Sequence, residues 1–189
     1  MNGKCVPGTV MPYSEQGGMF AMFRPLIQAT DGLTLGQVCA VTGLEPSTVQ
    51  NWVKRGFVAR PVGKKYHERQ LARILLISAL RRSMKIERIG ALMTLVNGDA
   101  DDTSDDIISE QQLYDYLCEA IGRTEEAAPA LEAIPGLVQS VTTDYTAPSP
   151  DAAARLQQAL CVMVCAYTAA RYEQEADKWF EEIKKEDHK

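Results

Sequence analysis

Apolar residues recur at helical spacing twice in quick succession in the first third of this chain. Leu35, Val38, Cys39 and Val41 form the first set, and Val49, Trp52 and Val53 the second, the latter at i, i+3 and i+4. Thr34 suits the N-cap of the first helix, because its hydroxyl can accept a hydrogen bond from a free N–H of the first turn. Gly43 stands where that helix must turn at positive φ. Pro46 fits the first turn of the second helix, with Glu45 just ahead, near the positive end of the helix dipole. Gly56 ends it. The stretches Phe57–Pro61 and Lys64–Tyr66 flank Val62-Gly63 and predict a small two-stranded wing. A helix from about Glu68 carries Leu71, Ile74, Leu75, Ile77, Ala79 and Leu80 inward. After a break at Arg82-Ser83, Ile86, Ile89, Leu92 and Met93 predict a fourth helix, closed by Asn97-Gly98.

The flanks are less regular. Met1 to Gln16 reads as a mobile or loosely attached tail, and Met19 to Ala29 as a short helix that tolerates Pro25 near its start and breaks at Asp31-Gly32. Asp99 to Asp106 holds five acids in eight positions and predicts a linker or exposed loop. Beyond it the pattern predicts a helix around Glu110 to Ile121, another around Glu125 to Ala133, and a Pro/Thr/Ser loop from Pro135 to Pro150. The chain then runs into a long helix from Asp151 to about Lys185, roughly 50 Å in length. Leu156, Leu160, Met163, Tyr167 and Ala170 make one apolar stripe on it, and Ala159, Val162, Ala166 and Ala169 a second. Stripes that broad demand burial, within the chain or across a dimer. The fold class expected is therefore mostly α. Residues 1–33 form a tail and short helix, 34–98 a winged helix-turn-helix of four helices and a small β wing, and 99–189 an acidic linker with a C-terminal helical bundle.

Charge changes the picture. The net charge of -5 divides unevenly: Thr34 to Asn97 carries eleven basic and three acidic residues, or +8, and Gly98 onward carries -13. A basic module joined to an acidic one points to nucleic acid. The five cysteines are scattered, with no CxxC pair, which fits a reducing cytoplasm. The longest nearly apolar run, Ala159 to Ala170, is 12 residues, against the roughly 20 that a membrane span needs.

The residues Thr34-Leu35, Val38-Cys39, Thr42-Gly43-Leu44, Pro46, Thr48-Val49, Trp52, Gly56-Phe57, Pro61, Lys64, Tyr66, Leu71, Ile74, Ile77, Ile86, Ile89 and Leu92 resemble the MerR-type winged helix-turn-helix. More narrowly, Gln50-Asn-Trp-Val-Lys-Arg-Gly56, Gly63-Lys-Lys-Tyr66 and Leu71-Ala-Arg-Ile-Leu75 look like an uncharacterised bacterial family, the domain-of-unknown-function group numbered 1836. The resemblance implies DNA binding and transcriptional regulation. This chain departs from the MerR pattern at Gln50, where Arg is usual, and at Val53, where an acid is usual.

On that reading the second helix of the motif enters the major groove of double-stranded DNA. Ser47, Thr48, Gln50 and Asn51 reach base edges or phosphates, and Gln and Asn can pair bidentately with adenine. Lys54, Arg55, Arg60, Lys64 and Lys65 neutralise phosphates, and Tyr66 packs the wing or offers its hydroxyl to a phosphate. Two half-site modules bind better than one, so a homodimer through the C-terminal helices is expected. The rival is a protein-protein interaction module on the same scaffold that binds no DNA. Trp52 reads as a packing anchor, and Cys161 and Cys165 as small core residues. No enzyme is expected, nor any cofactor or metal. His67 and His188 are the only histidines, and no GxSxG, P-loop, GxGxxG or HExxH occurs.

Overall fold

The computed structural model describes residues 5–11, 19–98, 100, 102, 104–127 and 130–186. Among these the chain is mostly helical, with a single two-stranded sheet. A 3-10 turn at Met19–Met22 leads into α1 (Arg24–Thr30), β1 (Leu33–Thr34), α2 (Leu35–Thr42), α3 (Pro46–Lys54), β2 (Lys65–Tyr66), α4 (Glu68–Leu80) and α5 (Ile86–Asn97). After them come α6 (Glu110–Ala127), α7 (Ile134–Val141) and α8 (Ala152–Glu186). No helix among the described residues is long and apolar enough to cross a membrane.

The local signals act where the sequence puts them. Thr34 caps α2 in a full capping box: its hydroxyl accepts from the Gln37 N–H, and Gln37 Oε1 accepts from the Thr34 N–H at 2.8 Å. Gly43 turns the chain at φ 67°, Pro46 opens α3, and Gly56 at φ 77° follows its end. α4 is the hub. Nearly every residue from Gln70 to Leu80 is buried, because α2 and β2 pack on it from one half of the chain and α6 and α8 from the other. One hydrophobic cluster runs unbroken from Val6 to Val164.

Several expectations are corrected. Phe57–Pro61 is not a strand of a wing. α4 side chains take its carbonyls instead: Arg73 Nε donates to the Phe57 carbonyl at 2.8 Å and Gln70 Nε2 to that of Arg60 at 3.2 Å. β2 pairs antiparallel with β1, Leu33 opposite Tyr66 and Thr34 opposite Lys65. What remains of the hairpin is a tight turn in which Val62 and Lys65 exchange both backbone hydrogen bonds.

The tail expected over 1–16 is stitched down where it is described, over residues 5–11. Val6 is buried, the Val10 N–H donates to the Val41 carbonyl at 3.0 Å, and the buried Tyr114 hydroxyl donates to the Pro7 carbonyl at 2.7 Å. Gly8 (φ 76°) is obligatory there, since a Cβ would lie 2.2 Å from the Leu75 carbonyl oxygen. The remaining tail residues lie outside those described.

Further along, α6 continues to Ala127, and α7 occupies part of the expected loop. Pro135, expected to begin that loop, sits in the first turn of α7, where its missing N–H costs nothing. On α8 the first stripe is buried except for the half-buried Tyr167. The second divides: Ala159 is buried, whereas Val162 and Ala169 face solvent. Cys165 is exposed too and Cys161 only half-buried, so neither is a core residue in full.

Candidate nucleic-acid interface

Val49 and Trp52 anchor α3 in the core, leaving the opposite side to water. Ser47, Gln50, Asn51 and Lys54 are all exposed, and at i, i+3, i+4 and i+7 they form one stripe along the helix. Thr48, half-buried, flanks it. Among the described residues none of these side chains has a hydrogen-bond or ion-pair partner within the molecule.

The turn after α3 divides the cations assigned to phosphates. Lys64 projects at the tip of the Val62–Lys65 turn. Both central residues take positive φ (Gly63 55°, Lys64 65°), as a two-residue turn of the I′ kind demands. Arg60 is likewise exposed. Lys65 is not offered outward. It is half-buried and its Nζ donates to the Thr30 carbonyl at the C-terminal end of α1, where a cation is favoured. Of the two roles expected of Tyr66, packing is the one that its surroundings fit. It is 3% exposed, and burial, with Cys39 nearby, raises its phenol, so the hydroxyl packs and does not reach a phosphate.

Arg55 is exposed but engaged. It pairs with Glu87 of α5 at 2.6 Å and lies 4.8 Å from the Phe57 ring centroid, and its hydrogen bond holds the Glu87 carboxyl below the usual range. That pair brings the start of α5 to the end of α3. It carries with it a basic set that reading by motif did not assign to the site: Arg81, Arg82, Lys85 and Arg88, all exposed. The signal was in the charge count of the segment. The turn between α4 and α5 simply carried no motif.

Two further cations in that count face inward. Arg73 is buried in α4, its Nη1 3.2 Å from Glu110 Oε1, and burial lowers its pKa against the pull of Glu110. Arg69 reaches the same oxygen at 2.9 Å and Asp106 at 3.5 Å, and donates to the Asp102 carbonyl at 2.7 Å. The acidic run expected as a linker is thus partly clamped to α4. Asp102, Ser104 and Asp105 are exposed and Asp106 is half-buried; Asp99, Asp101 and Thr103 lie outside the described residues. Burial, then Glu110, pushes the Asp106 carboxyl up to about 6. An open cavity of about 470 Å³ lies beside this clamp, with Tyr145 and Pro148 on its wall.

Residues 33–117 match the family model described as a domain of unknown function, DUF1836. The matched stretch runs from β1 into α6 and so takes in Glu110 and the arginines it neutralises. The chain is also similar to "Uncharacterized protein YkrK" of Bacillus subtilis (strain 168), at 34% identity over 94 residues, 46% of this chain and 40% of that protein. It therefore spans less than half the length of that relative. No solved structure matches it with significance.

Proposed function

We propose that this chain binds double-stranded DNA sequence-specifically, as a transcriptional regulator of the MerR-like winged helix-turn-helix type, and that it works as a homodimer through its C-terminal helices. The observation that carries the reading is the α3 stripe. Ser47, Gln50, Asn51 and Lys54 stand exposed on a helix that Val49 and Trp52 fix from behind, and they have no intramolecular partner among the described residues. Gln50 and Asn51 have the donors and acceptors to pair with adenine in the major groove. Lys54, Arg60 and Lys64 serve phosphates, as does Arg55 once it exchanges Glu87 for one. The exposed cations of the α4–α5 turn widen that surface. A protein-docking scaffold would favour an apolar patch on α3; among the described residues α3 exposes no large apolar side chain, and in the turn that carries Lys64 only Val62 is so exposed. The reading assigns the chain to the cytoplasm and asks for no catalytic centre or cofactor.

The test is a fluorescence titration of the folded protein against sheared genomic DNA at two salt concentrations. Neutralising about six phosphates per dimer predicts affinity falling roughly a thousandfold between about 50 and 200 mM salt. Lys64→Ala should weaken binding to every sequence and flatten that slope. Asn51→Ala should relax sequence choice at constant slope. Absence of binding at low salt removes this reading and leaves the interaction module.

A further inference from the structure

Glu87 is out of place by charge. Of the three acids between Thr34 and Asn97, Glu45 precedes α3 and Glu68 pairs with Arg24 of α1 at 3.4 Å, while Glu87 stands alone among Arg81, Arg82, Lys85 and Arg88. Its one ion-pair partner among the described residues is Arg55, whose Nη2 donates to Glu87 Oε1 at 2.6 Å. The contact is built from both sides. Arg55 follows the last residue of α3, and its N–H donates to the Asn51 carbonyl at 2.9 Å, which sets it one turn beyond Asn51 at the end of the exposed stripe. Its guanidinium lies 4.8 Å from the Phe57 ring centroid. Phe57 in turn fills the space over Gly90, where a Cβ would come within 2.7 Å of the ring. Gly90 lies one turn along α5 from Glu87, so the helix that supplies the carboxylate also supports the ring beneath the arginine.

We propose that Glu87 competes with DNA phosphate for Arg55, holding that side chain in position in the free protein and limiting the affinity of the chain for DNA of any sequence. The inference rests on the DNA reading and adds a restraint to it. A carboxylate and a phosphate present similar charged oxygens to a guanidinium, so one can take the place of the other. Both partners are open to water, Arg55 at 43% and Glu87 at 64% of the side chain, so the attraction between them is screened and the pair can be displaced. Arg55 is already ordered over Phe57, which lowers the entropy lost when it meets a phosphate. The exchange then leaves the Glu87 carboxylate without its partner beside the phosphate backbone, where its charge opposes the approach of DNA. The contact so limited is with the backbone, which encodes no sequence, and the effect is therefore uniform across sequences. A contact that only tied α3 to α5 would leave the salt dependence of binding untouched.

The test is a fluorescence titration of a random-sequence duplex with the full chain over a range of salt, for wild type, Glu87→Gln, Arg55→Ala and the double variant. Gln keeps an oxygen for Arg55 and removes the charge, and both positions are exposed, so the helical circular dichroism should be unchanged. Glu87→Gln should tighten binding roughly threefold per chain, and steepen the slope of log affinity against log salt by about 0.9 per chain. In the Arg55→Ala background the same change should give less than half of that gain in log affinity. A gain of half or more there overturns the inference, because the charge would then act on DNA without passing through Arg55. Tighter binding at an unchanged slope overturns it as well. Wild-type binding that Glu87→Gln leaves unchanged or weakens overturns the inference alone and spares the DNA reading. No binding by either protein overturns both, and binding by Glu87→Gln alone supports both.

Discussion

Lys64 serves two opposed ends. Its φ of 65° lies in the left-handed region, which costs a residue with a Cβ about 1–2 kcal/mol, yet the turn tip is where a cation best meets a phosphate. Lys64→Gly should therefore raise stability, by about 0.5–1 kcal/mol after the greater entropy of an unfolded glycine, or roughly 2 °C in Tm. The same change should weaken DNA binding. A thermal melt and a titration on one variant check both signs. Asp106 offers a sharper test by pH. Its carboxyl is raised to about 6 by burial and by Glu110, and its Oδ1 is buried without a partner. A folded pKa above the unfolded one means that the folded state binds the proton more tightly. The favourable contribution is complete below about pH 4 and is lost as pH rises through about 6. Asp106→Asn should stabilise the protein at pH 8 and lose that advantage at pH 4, which urea unfolding at the two pH values measures against wild type.

Between elements, the decisive contact is the charge clamp from α4 to α6. Glu110 is 1% exposed and bonds both Arg69 and Arg73 through one oxygen. Removing one partner of such a buried cluster strands the others, so Glu110→Ala should cost about 3–5 kcal/mol, or roughly 10 °C in Tm. Arg73→Met combined with Glu110→Leu should lose less than the two single changes together, because no unpaired charge is left in the core. This clamp also marks how far the sequence could be read. Thr34, Gly43, Pro46 and Gly56 act through their own backbone neighbours, so the helix boundaries around α3 were legible, as was the exposed stripe that buried Val49 and Trp52 leave behind. What was not legible depends on distant partners. Arg69 and Arg73 count as basic until Glu110 comes across, some forty residues along the chain. Lys65 looks like a phosphate ligand until α1 presents a carbonyl. Phe57–Pro61 looks like a strand until α4 side chains take its acceptors. Pro135 is the reverse case: its Pro/Thr/Ser surroundings suggest a loop, but the local spacing of Ile134, Val138 and Val141 makes it a helix opener.

At the scale of the whole molecule, charge and composition divide the chain near Gly98, but packing does not. α4 from the basic half is buried against α6 and α8 from the acidic half. Asn97 Nδ2 donates to the Ile108 carbonyl, and the Ile107 N–H donates to that of Val96 at 3.0 Å, so both ends of the acidic run are tied. Neither half could keep its core on losing the other: α4, buried along nearly its whole length, would lose the cover of α6 and α8, at about 1.5–3 kcal/mol for each large apolar side chain so exposed. Equilibrium unfolding in urea should therefore be a single transition. Trp52, buried between α3 and the core, reports the first half by fluorescence, while circular dichroism weighs the long helices of the second. With Trp179→Phe removing the exposed fluorophore, the two curves should coincide in midpoint and slope. Midpoints separated by more than the error of the fits would mean that the clamp joins two units able to stand apart, and that the composition boundary is also a folding boundary.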